Sequence, residues 1–360
     1  MTKFILTIDG GGIRGLIPAT ILSALEDKLR RRKKTLALHR YFHLIAGTST
    51  GAIIAAGLTC PKPGHRQQPA ADATTLVKLY KDKGATIFNR SIFRKLANLG
   101  GLLDEHYDAG PLETILIDML GPTAEIRDAL TKVLITGYDI HARRAVFLTN
   151  ADKENERFYF WQAVRGSSAA PTYFEPALVE NLAARRRGTA PTFPMIDGGV
   201  FANDPGMAAY VEGAKLGWRD DGEEMVVLSL GTGSANRQIP YQQAKNWGAG
   251  GWINPGNNTP LISVFMQGQA STASYQLNKL MNRDPPAFVD GATVVTKDNR
   301  SNLKYFRIDG PLVGVNDALD DAGSTNIAKL IDFGKALAAK HATALDEIAD
   351  RVNAIPVPTP

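Results

Sequence analysis

The segment Gly47-Thr48-Ser49-Thr50-Gly51 places a serine between a short apolar run and a helix-like run. The first run, 42–46, predicts a strand and the second, 52–58, predicts a helix, so Ser49 is expected at a sharp strand-to-helix turn. Flanking glycines let the chain pass close to itself at such a corner, which exposes the hydroxyl beside a helix N-terminus. The pattern predicts a nucleophilic serine, but an inert N-cap serine in a glycine-rich turn is an alternative.

A second glycine-rich turn, Asp9-Gly10-Gly11-Gly12-Ile13-Arg14-Gly15, directly follows the first predicted strand, 3–9. Consecutive glycines expose backbone amides that can converge on one point, and a helix predicted from Leu16 adds its positive end there. The turn therefore suits an anionic group such as the oxyanion of acyl transfer. Arg14 would orient this loop or strengthen its field.

Gly10, Gly12 and Gly15 also match the dinucleotide fingerprint GxGxxG. A dinucleotide site needs an acidic residue about twenty positions later to hold the ribose, whereas this chain has the basic run 31–34 there. An NADP site and a plain turn for close packing of strand and helix stay open as alternatives.

The serine needs a proton acceptor, and Asp197 supplies a carboxylate at the end of the short predicted strand 194–197. Such a residue often only caps a loop. A triad in the order Ser, acid, His is disfavoured, because only His341 follows Asp197 and it falls in the predicted terminal helix. We therefore expect a two-member site in which Asp197 takes the proton from Ser49 and returns it to the leaving group.

An aspartate of ordinary pKa is a weak base, so the proposed role requires surroundings that raise the pKa of Asp197. Its sequence neighbours fit this requirement, because several are apolar: Met195, Ile196, Val200 and Phe201. The histidines that precede Asp197 are interpreted as structural: His39, His43, His65, His106 and His141.

Composition limits the class of protein. The 360 residues are 44% apolar, which is enough for a large core, and Cys60 is the single cysteine, which excludes an intrachain disulfide and a CxxC metal site. The apolar stretch at the N-terminus is too short for a signal peptide, and no run reaches the ~20 apolar residues of a membrane span. We expect a soluble, cytoplasmic protein without a bound metal.

The net charge of +5 is concentrated in two basic runs, Arg30-Arg31-Arg32-Lys33-Lys34 and Arg185-Arg186-Arg187. Each run either is a solvated surface segment or attracts anionic lipid or nucleotide phosphate. Neither run is interleaved with aromatic residues, so DNA or RNA binding is not predicted.

The elements that must position these residues alternate between buried strands and helices, which predicts a three-layer α/β/α fold with a mostly parallel sheet. The predicted strands are 3–9, 42–46, 132–139, 145–149, 194–197 and 225–230. The predicted helices are 16–32, 52–58, 74–83, 91–102, 111–120, 260–281 and 324–352. The segment 61–123 is interpreted as an inserted helical cap, 247–258 as an ordered loop, 1–354 as a single domain and 355–360 as a Pro-rich tail.

In order and spacing, these motifs resemble the patatin-like phospholipases over roughly residues 3–310. The turn 9–15 is similar to the family's oxyanion loop, 47–51 to its nucleophile elbow and 197–199 to its acid motif. Ala52 stands where many members have another glycine. Further blocks resemble other family signatures: 165–171, 203–205 and 228–233.

The resemblance implies a patatin-like fold and a Ser-Asp dyad hydrolase that cleaves fatty-acyl esters of phospholipids or lysophospholipids without a cofactor. Ser49 would be the nucleophile and Asp197 the base and then the acid. The implied oxyanion hole consists of Gly10, Gly11, Gly12, Arg14 and Thr50.

The resemblance also bears on partners. A phospholipid membrane surface is the expected peripheral partner, and the cap together with the loop 247–252 is expected to form the lipid entrance. Some bacterial members are effectors switched on by cyclic oligonucleotides, while others are secreted toxins that need host cofactors. The compact chain favours the first kind, which implies a cyclic oligonucleotide as activator. An acyltransferase and a non-catalytic lipid-binding protein stay open as alternative functions.

Overall fold

The computed structural model describes residues 2–32, 36–88, 108–171, 173–185, 188, 191–219, 224–235, 238–254 and 260–354. The strands of this described chain are β1 (Thr2–Ile8), β2 (Leu44–Gly47), β3 (Pro61–Lys62), β4 (His65–Pro69), β5 (Lys132–Asp139), β6 (Arg144–Thr149), β7 (Ala177–Glu180), β8 (Thr192–Asp197), β9 (Glu224–Leu230), β10 (Phe288–Val289), β11 (Ala292–Thr293) and β12 (Tyr305–Ile308).

Eight of the described strands form one central sheet in the order β12-β9-β1-β2-β5-β8-β7, with β6 beside β5. The five strands from β12 to β5 are parallel to one another, whereas β6 and β8 pair with β5, and β7 pairs with β8, in antiparallel orientation. The inner strands β1, β2 and β9 are buried over most of their length, as expected where helices cover both faces of a parallel sheet. The prediction of a mostly parallel sheet is confirmed.

The main helices pack on both faces of the sheet. The helices of the described chain are α1 (Leu16–Arg31), α2 (Thr50–Thr59), α3 (Ala73–Ile87), α4 (Gly110–Leu120), α5 (Phe160–Ser167), α6 (Gly206–Lys215), α7 (Tyr241–Ala244), α8 (Ala249–Ile253), α9 (Pro260–Met281), α10 (Ser324–Lys340) and α11 (Ala342–Ala354).

Alternation along the strands builds two hydrophobic cores. In β1, Leu6 and Ile8 pack into the larger core with α1, α2 and α5, whereas Ile5 packs into the smaller core with α6 and α9. Both faces of the sheet are therefore covered. The predicted three-layer α/β/α architecture is confirmed.

Several predicted elements differ in detail. The helix predicted over 324–352 is two helices, α10 and α11, which are separated at His341. The segment 61–123 opens with the hairpin β3–β4, and its helix α3 packs directly against α1. The predicted loop 247–258 contains the short helix α8. The helix predicted over 91–102, residues 255–258 of that loop and the tail 355–360 lie outside the described residues.

The parallel strands direct their carboxyl ends to one edge of the sheet, where ligands of open α/β sheets usually bind. The loop after β1 and the elbow after β2 therefore lie side by side at this edge. Strand β8 runs antiparallel to β5, but part of β8 extends beyond this edge of the sheet. Gly47 pairs with Ile135, and Asp197 pairs with Gly137 two residues further along β5, so Asp197 reaches the level of Ser49.

No helix among the residues that the structure describes is long and apolar enough to cross a bilayer.

Candidate active site

Ser49 occupies a strained corner between β2 and α2. Its backbone φ of 55° lies in the left-handed region, which a non-glycine residue seldom adopts and which is typical of functional sites. Both flanking positions require glycine for steric reasons. A Cβ on Gly47 would lie 2.1 Å from the carbonyl oxygen of Gly51, and a Cβ on Gly51 would lie 2.1 Å from that of Ile8. The elbow therefore tolerates no side chain at either glycine.

Hydrogen bonds from neighbouring elements hold this corner. The Ser49 amide donates to the hydroxyl of Ser167 at the end of α5, at 2.9 Å. The Thr48 hydroxyl bonds the Ala202 carbonyl at 2.7 Å, and the Thr50 hydroxyl bonds the hydroxyl of Tyr80 in α3. The backbone around Ser49 is therefore fixed from several sides. The Ser49 hydroxyl stays directed at the cavity and its neighbour Asp197.

Asp197 is 5% exposed and ends β8 beside Ser49. Burial raises the pKa of its carboxyl from 3.8 to about 7, while hydrogen bonds from the Ser49 hydroxyl and the Gly199 amide lower it by less. The Gly199 amide donates to Asp197 Oδ1 at 2.7 Å. The carboxyl thus combines contact with the serine hydroxyl and a pKa suited to accepting a proton near neutral pH. The predicted direction of the pKa shift agrees.

Gly10 differs from the expected set of oxyanion donors. Its amide donates to the carbonyl oxygen of Asn203 at 3.0 Å, so it is not free to bind an oxyanion. Its own carbonyl accepts a hydrogen bond from the Thr232 hydroxyl at 2.7 Å. We therefore correct the expected role of Gly10: it anchors the loop and does not donate to the cavity.

The amides of Gly11 and Gly12 are oriented toward the cavity by contacts to the carbonyls of Gly10 and Gly11, on the opposite side of each peptide. In a trans peptide the carbonyl and the following N–H point in opposite directions. Thr232 holds the Gly10 carbonyl, and Arg14 holds the Gly11 carbonyl through its backbone N–H at 3.1 Å and its Nε at 3.3 Å. Gly11 and Gly12 line the cavity, and neither amide has a partner within the described residues. This pair can donate to one anionic atom.

The other two residues expected in the oxyanion hole, Arg14 and Thr50, occupy different positions. Arg14 is buried, and its guanidinium also donates to the Gly233 carbonyl at 3.4 Å, so it acts as a support of the loop. Thr50 lines the cavity as the first residue of α2. The amide of a first helical residue has no partner inside its helix, and the described chain supplies none for Thr50.

Ser49, Asp197, Gly11 and Gly12 share one cavity of about 120 Å³. Its remaining walls are mostly apolar, and they come from α2, α3, α4, α9 and the loops after α5, β8 and β12. The apolar lining residues are Ile53, Ile87, Phe88, Leu112, Ala170, Pro171, Tyr173, Phe174, Val200, Ile262, Phe265, Met266 and Leu319. Ser168 is a polar exception, since its buried hydroxyl has no partner in the described chain. Such a lining suits a hydrocarbon chain.

Histidine is not among the described residues that line this cavity. His341 lies at the junction of α10 and α11, where burial lowers the pKa of its imidazole. His43 accepts the Phe4 amide through Nδ1 at 3.0 Å, a structural contact. His106 lies outside the described residues. In the part of the chain that is described, no group of three or more His, Cys, Asp or Glu residues could hold a metal ion.

Two arginines of the first basic run pair with the chain's own carboxylates. Arg32 bonds Asp350 at 2.6 Å and Asp346 at 3.1 Å, and Arg30 bonds Asp27 at 3.1 Å. The ion pairs favour the interpretation of the first run as a surface segment. Residues 33–34 and 186–187 of these runs lie outside the described residues.

A buried charge cluster beneath the oxyanion loop was not predicted. Arg307 in β12 bonds both carboxylate oxygens of Asp9 at 2.8 and 2.6 Å, and it also contacts Asp309 at 2.9 Å and Asp204 at 3.4 Å. Since Asp9 begins the loop 9–15, the cluster fixes the start of that loop. The available signal was an arginine inside the apolar run 305–308, followed by an aspartate.

The sequence of this chain is similar to those of known proteins. The family model described as patatin-like phospholipase matches residues 6–210. Patatin-like protein 1 of Oryza sativa subsp. indica is 31% identical over 98% of this chain and 85% of its own length. Patatin group M-3 of Solanum tuberosum is 30% identical over 93% and 83%. Among solved structures, human GIVD cytosolic phospholipase A2 has a TM-score of 0.44 at 12% identity, with 98% of this chain and 59% of that chain covered.

Proposed function

Because this chain belongs to the patatin-like phospholipase family, we propose that it is a lipid acyl hydrolase that cleaves fatty-acyl esters of phospholipids or lysophospholipids. The observation that carries the proposal is the position of the Ser49 hydroxyl beside the buried Asp197 carboxyl, at an apolar cavity that Gly11 and Gly12 also line. Membership of the family supports the reaction class, and the geometry supports the roles given below.

In the first half-reaction, ionised Asp197 accepts the proton of the Ser49 hydroxyl while Oγ attacks the ester carbonyl carbon. The carbonyl oxygen becomes an oxyanion, which the amides of Gly11 and Gly12 stabilise together with the amide of Thr50. Protonated Asp197 then gives its proton to the leaving alkoxide of the lipid. The carbon–oxygen bond breaks, and the acyl group stays on Ser49 as an ester.

In the second half-reaction, Asp197 accepts a proton from water, which attacks the acyl-serine carbonyl at the same oxyanion site. The Asp197 proton returns to Ser49 Oγ as the fatty acid leaves. A single carboxyl serves as base and acid in both halves because its pKa of about 7 lets it hold or release a proton near neutral pH. No histidine is required by this scheme.

The cavity favours a long acyl chain over a polar substrate. Its walls are formed mainly by aliphatic and aromatic side chains, including Ile53, Leu112, Phe174 and Met266. Burial of each apolar chain segment against such walls contributes binding energy in proportion to the area removed from water. Activation by a cyclic oligonucleotide, cytoplasmic location and the hydrolase rather than acyltransferase outcome stay predictions.

A fluorophosphonate probe tests the proposal, because it reacts covalently with an activated serine. We expect labelling of the wild-type protein, loss of the label in Ser49→Ala, and persistence of the label in Ser168→Ala, which changes the other serine that lines the cavity. Wild type should also release fatty acid from phospholipid, measured by mass spectrometry. An unlabelled, inactive wild type would contradict the proposal. Acyl lipid formed in place of fatty acid when lysolipid is added would favour an acyltransferase.

A further inference from the structure

The first half of α9 presents an apolar surface that the described chain leaves uncovered. Apart from Pro260, the buried residues of this helix all lie at or beyond Ala273. The preceding turns are nevertheless apolar, and Val264 and Phe265 are 44% and 57% exposed. A helix of a water-soluble domain ordinarily buries its apolar stripe, so this half of α9 is expected to contact something else.

Neighbouring elements extend the same surface. Helix α8 packs against α9 and carries Ile253, which is 58% exposed, and Trp252, whose ring meets that of Trp247 edge to face at 5.2 Å. Val200, in the turn after Asp197, is 38% exposed. We define the entrance face by six residues: Val200, Trp247, Trp252, Ile253, Val264 and Phe265.

The entrance face is continuous with the catalytic cavity. Val200 and Phe265 are both partly exposed and also line the cavity, so they form part of its rim. The helix is anchored there, since Gln269 Nε2 donates to the Val200 carbonyl at 2.8 Å and its Oε1 accepts the Asn203 amide at 3.4 Å. A molecule docked on this face would therefore lie directly at the opening that leads to Ser49.

The charge pattern indicates the chemistry of the partner. Between Glu224 and Asp284 the sequence has no aspartate or glutamate, although 36 of the 360 residues are acidic and a stretch of this length would ordinarily hold about six. It does carry basic residues, including Lys245 beside Trp247. A segment with exposed apolar and aromatic side chains and no acidic residue in its sequence is typical of surfaces that insert into an anionic lipid interface.

We propose that the entrance face docks on bilayers that contain anionic lipid, so that an acyl chain passes from the membrane into the cavity without crossing water. This inference rests on the proposed lipid acyl hydrolase function. Val200 and Phe265 enter the acyl region at the rim, while the tryptophans lie at the headgroup level. The proposed partner is the lipid surface. A second copy of the chain and residues 89–107 of the same chain are competing occupants.

The experiment measures binding of protein carrying Ser49→Ala to vesicles of phosphatidylcholine, with and without phosphatidylglycerol, by sedimentation. This background prevents hydrolysis of the vesicles, so binding is read separately from catalysis. The test variant adds Ile253→Glu and Val264→Glu. The control adds Val211→Glu and Leu280→Glu, which change equally exposed apolar residues on α6 and at the far end of α9, about 24 Å along the helix from Val264.

We expect tighter binding to the anionic vesicles, and a partition coefficient that falls about tenfold or more in the test variant but not in the control. With Ser49 restored, both variants should hydrolyse a soluble short-chain ester like wild type, because neither Ile253 nor Val264 lines the cavity.

Three results would overturn the inference. Equal vesicle binding by test and control variants would exclude the entrance face as the docking surface, and it would leave the hydrolase proposal intact if the soluble ester is still cleaved. Conversion of a dimer to a monomer in the test variant would assign the face to a second copy. A lower melting temperature in the test variant alone would assign it to the chain's own residues. Failure of wild type to cleave any ester would count against the proposed function instead.

Discussion

Among single residues, Asp197 has the most demanding chemical role, since one carboxyl must both accept and donate a proton. Its neighbour Ser49 supplies a hydrogen bond that stabilises the ionised form, but burial at 5% exposure outweighs that bond and raises the pKa to about 7. A carboxyl with its ordinary pKa would be ionised at neutral pH but would be too weak a base. The same burial that makes the base stronger also makes its ionised form costly for the folded protein.

The raised pKa of Asp197 predicts that kcat/KM depends on pH. Below pH 7 Asp197 is increasingly protonated, so kcat/KM for a soluble short-chain ester should fall about tenfold per pH unit and reach a plateau above pH 8. Asp197→Asn should lose most of kcat at every pH. The control is Asp139→Asn, a buried aspartate outside the cavity whose carboxylate accepts the His141 amide at 2.9 Å, and its kcat should be unchanged.

The same substitution should reveal the cost of burial. Unfolded Asp197 ionises near pH 3.8 and folded Asp197 near pH 7, so the folded state holds an extra proton between these values. The free energy of unfolding of wild type therefore decreases as pH rises through this window. Asp197→Asn should match wild type below pH 4 and exceed it at pH 8 by about 2–4 kcal/mol, measured by urea unfolding. An active Asp197→Asn protein would place the base elsewhere.

At the level of elements, adjacent strand ends support one another. The loop after β9 contributes Thr232, whose hydroxyl holds the Gly10 carbonyl in the loop after β1. The end of α5 contributes Ser167, whose hydroxyl holds the Ser49 amide after β2. Each chemical group is thus oriented by an element distant in sequence, so the accuracy of the site depends on the packing of the sheet.

Thr232→Val tests this support, because valine keeps the shape of threonine and removes its hydroxyl. The Gly10 carbonyl would lose its 2.7 Å hydrogen bond and keep only the 3.5 Å contact with Asn203 Nδ2, so the Gly11 amide would be held less firmly toward the cavity. We expect kcat to fall about tenfold or more with little change in KM, because an oxyanion donor acts mainly in the transition state.

Two companion variants make this result specific. Thr232→Ser restores the hydroxyl and should recover most of kcat. Thr7→Val alters a buried threonine of β1 whose hydroxyl has no partner among the described residues, so its kcat should equal that of wild type. Equal losses in Thr232→Val and Thr7→Val would indicate a general packing effect in place of amide orientation.

The sequence predicts those elements whose signal is local. Strands β1 and β9 are predominantly apolar runs between turns, and the elbow is marked by Gly47 and Gly51, so the sequence predicts their positions and the nucleophile. Strand β12 is not predicted because its four residues include Arg307, whose burial becomes acceptable only when the distant Asp9 and Asp204 join the nearby Asp309 around it. The break between α10 and α11 at His341 is not marked by a glycine or a proline in the sequence.

Interactions of the site's amides also depend on long-range contacts. The motif 9–15 predicts a ring of free glycine amides, but Asn203 occupies the amide of Gly10, and only the folded arrangement of the two loops reveals this. The same limit applies to Ser167 and Thr232, since a serine or threonine in a loop has no sequence pattern that identifies its partner.

Across the whole molecule, the buried cluster around Arg307 joins parts of the chain that are far apart in sequence. Asp9 directly follows β1, Asp204 precedes α6, Arg307 belongs to β12 and Asp309 directly follows that strand. One guanidinium faces three carboxyls. Burial and the neighbouring carboxylates raise the pKa of Asp9, while the carboxylates raise that of Arg307, which stays charged. The cluster therefore depends on Arg307 to keep its carboxylates inside the protein.

Replacement of Arg307 should therefore destabilise the entire fold. Arg307→Met keeps much of the side-chain volume but leaves three buried carboxyls uncompensated, which is expected to cost about 3–5 kcal/mol of unfolding free energy at pH 8. Without the guanidinium the folded-state pKa of Asp9 rises further above its unfolded value, so the folded protein takes up protons as pH falls. The deficit should consequently be smaller at pH 5 than at pH 8 when both are measured by urea unfolding.

Arg32→Met, which removes a partly exposed arginine paired with Asp346 and Asp350, should cost about 1 kcal/mol or less. Equal deficits for Arg307→Met at the two pH values would mean that the cluster contributes packing only, because an uncompensated charge must weaken when protons neutralise it.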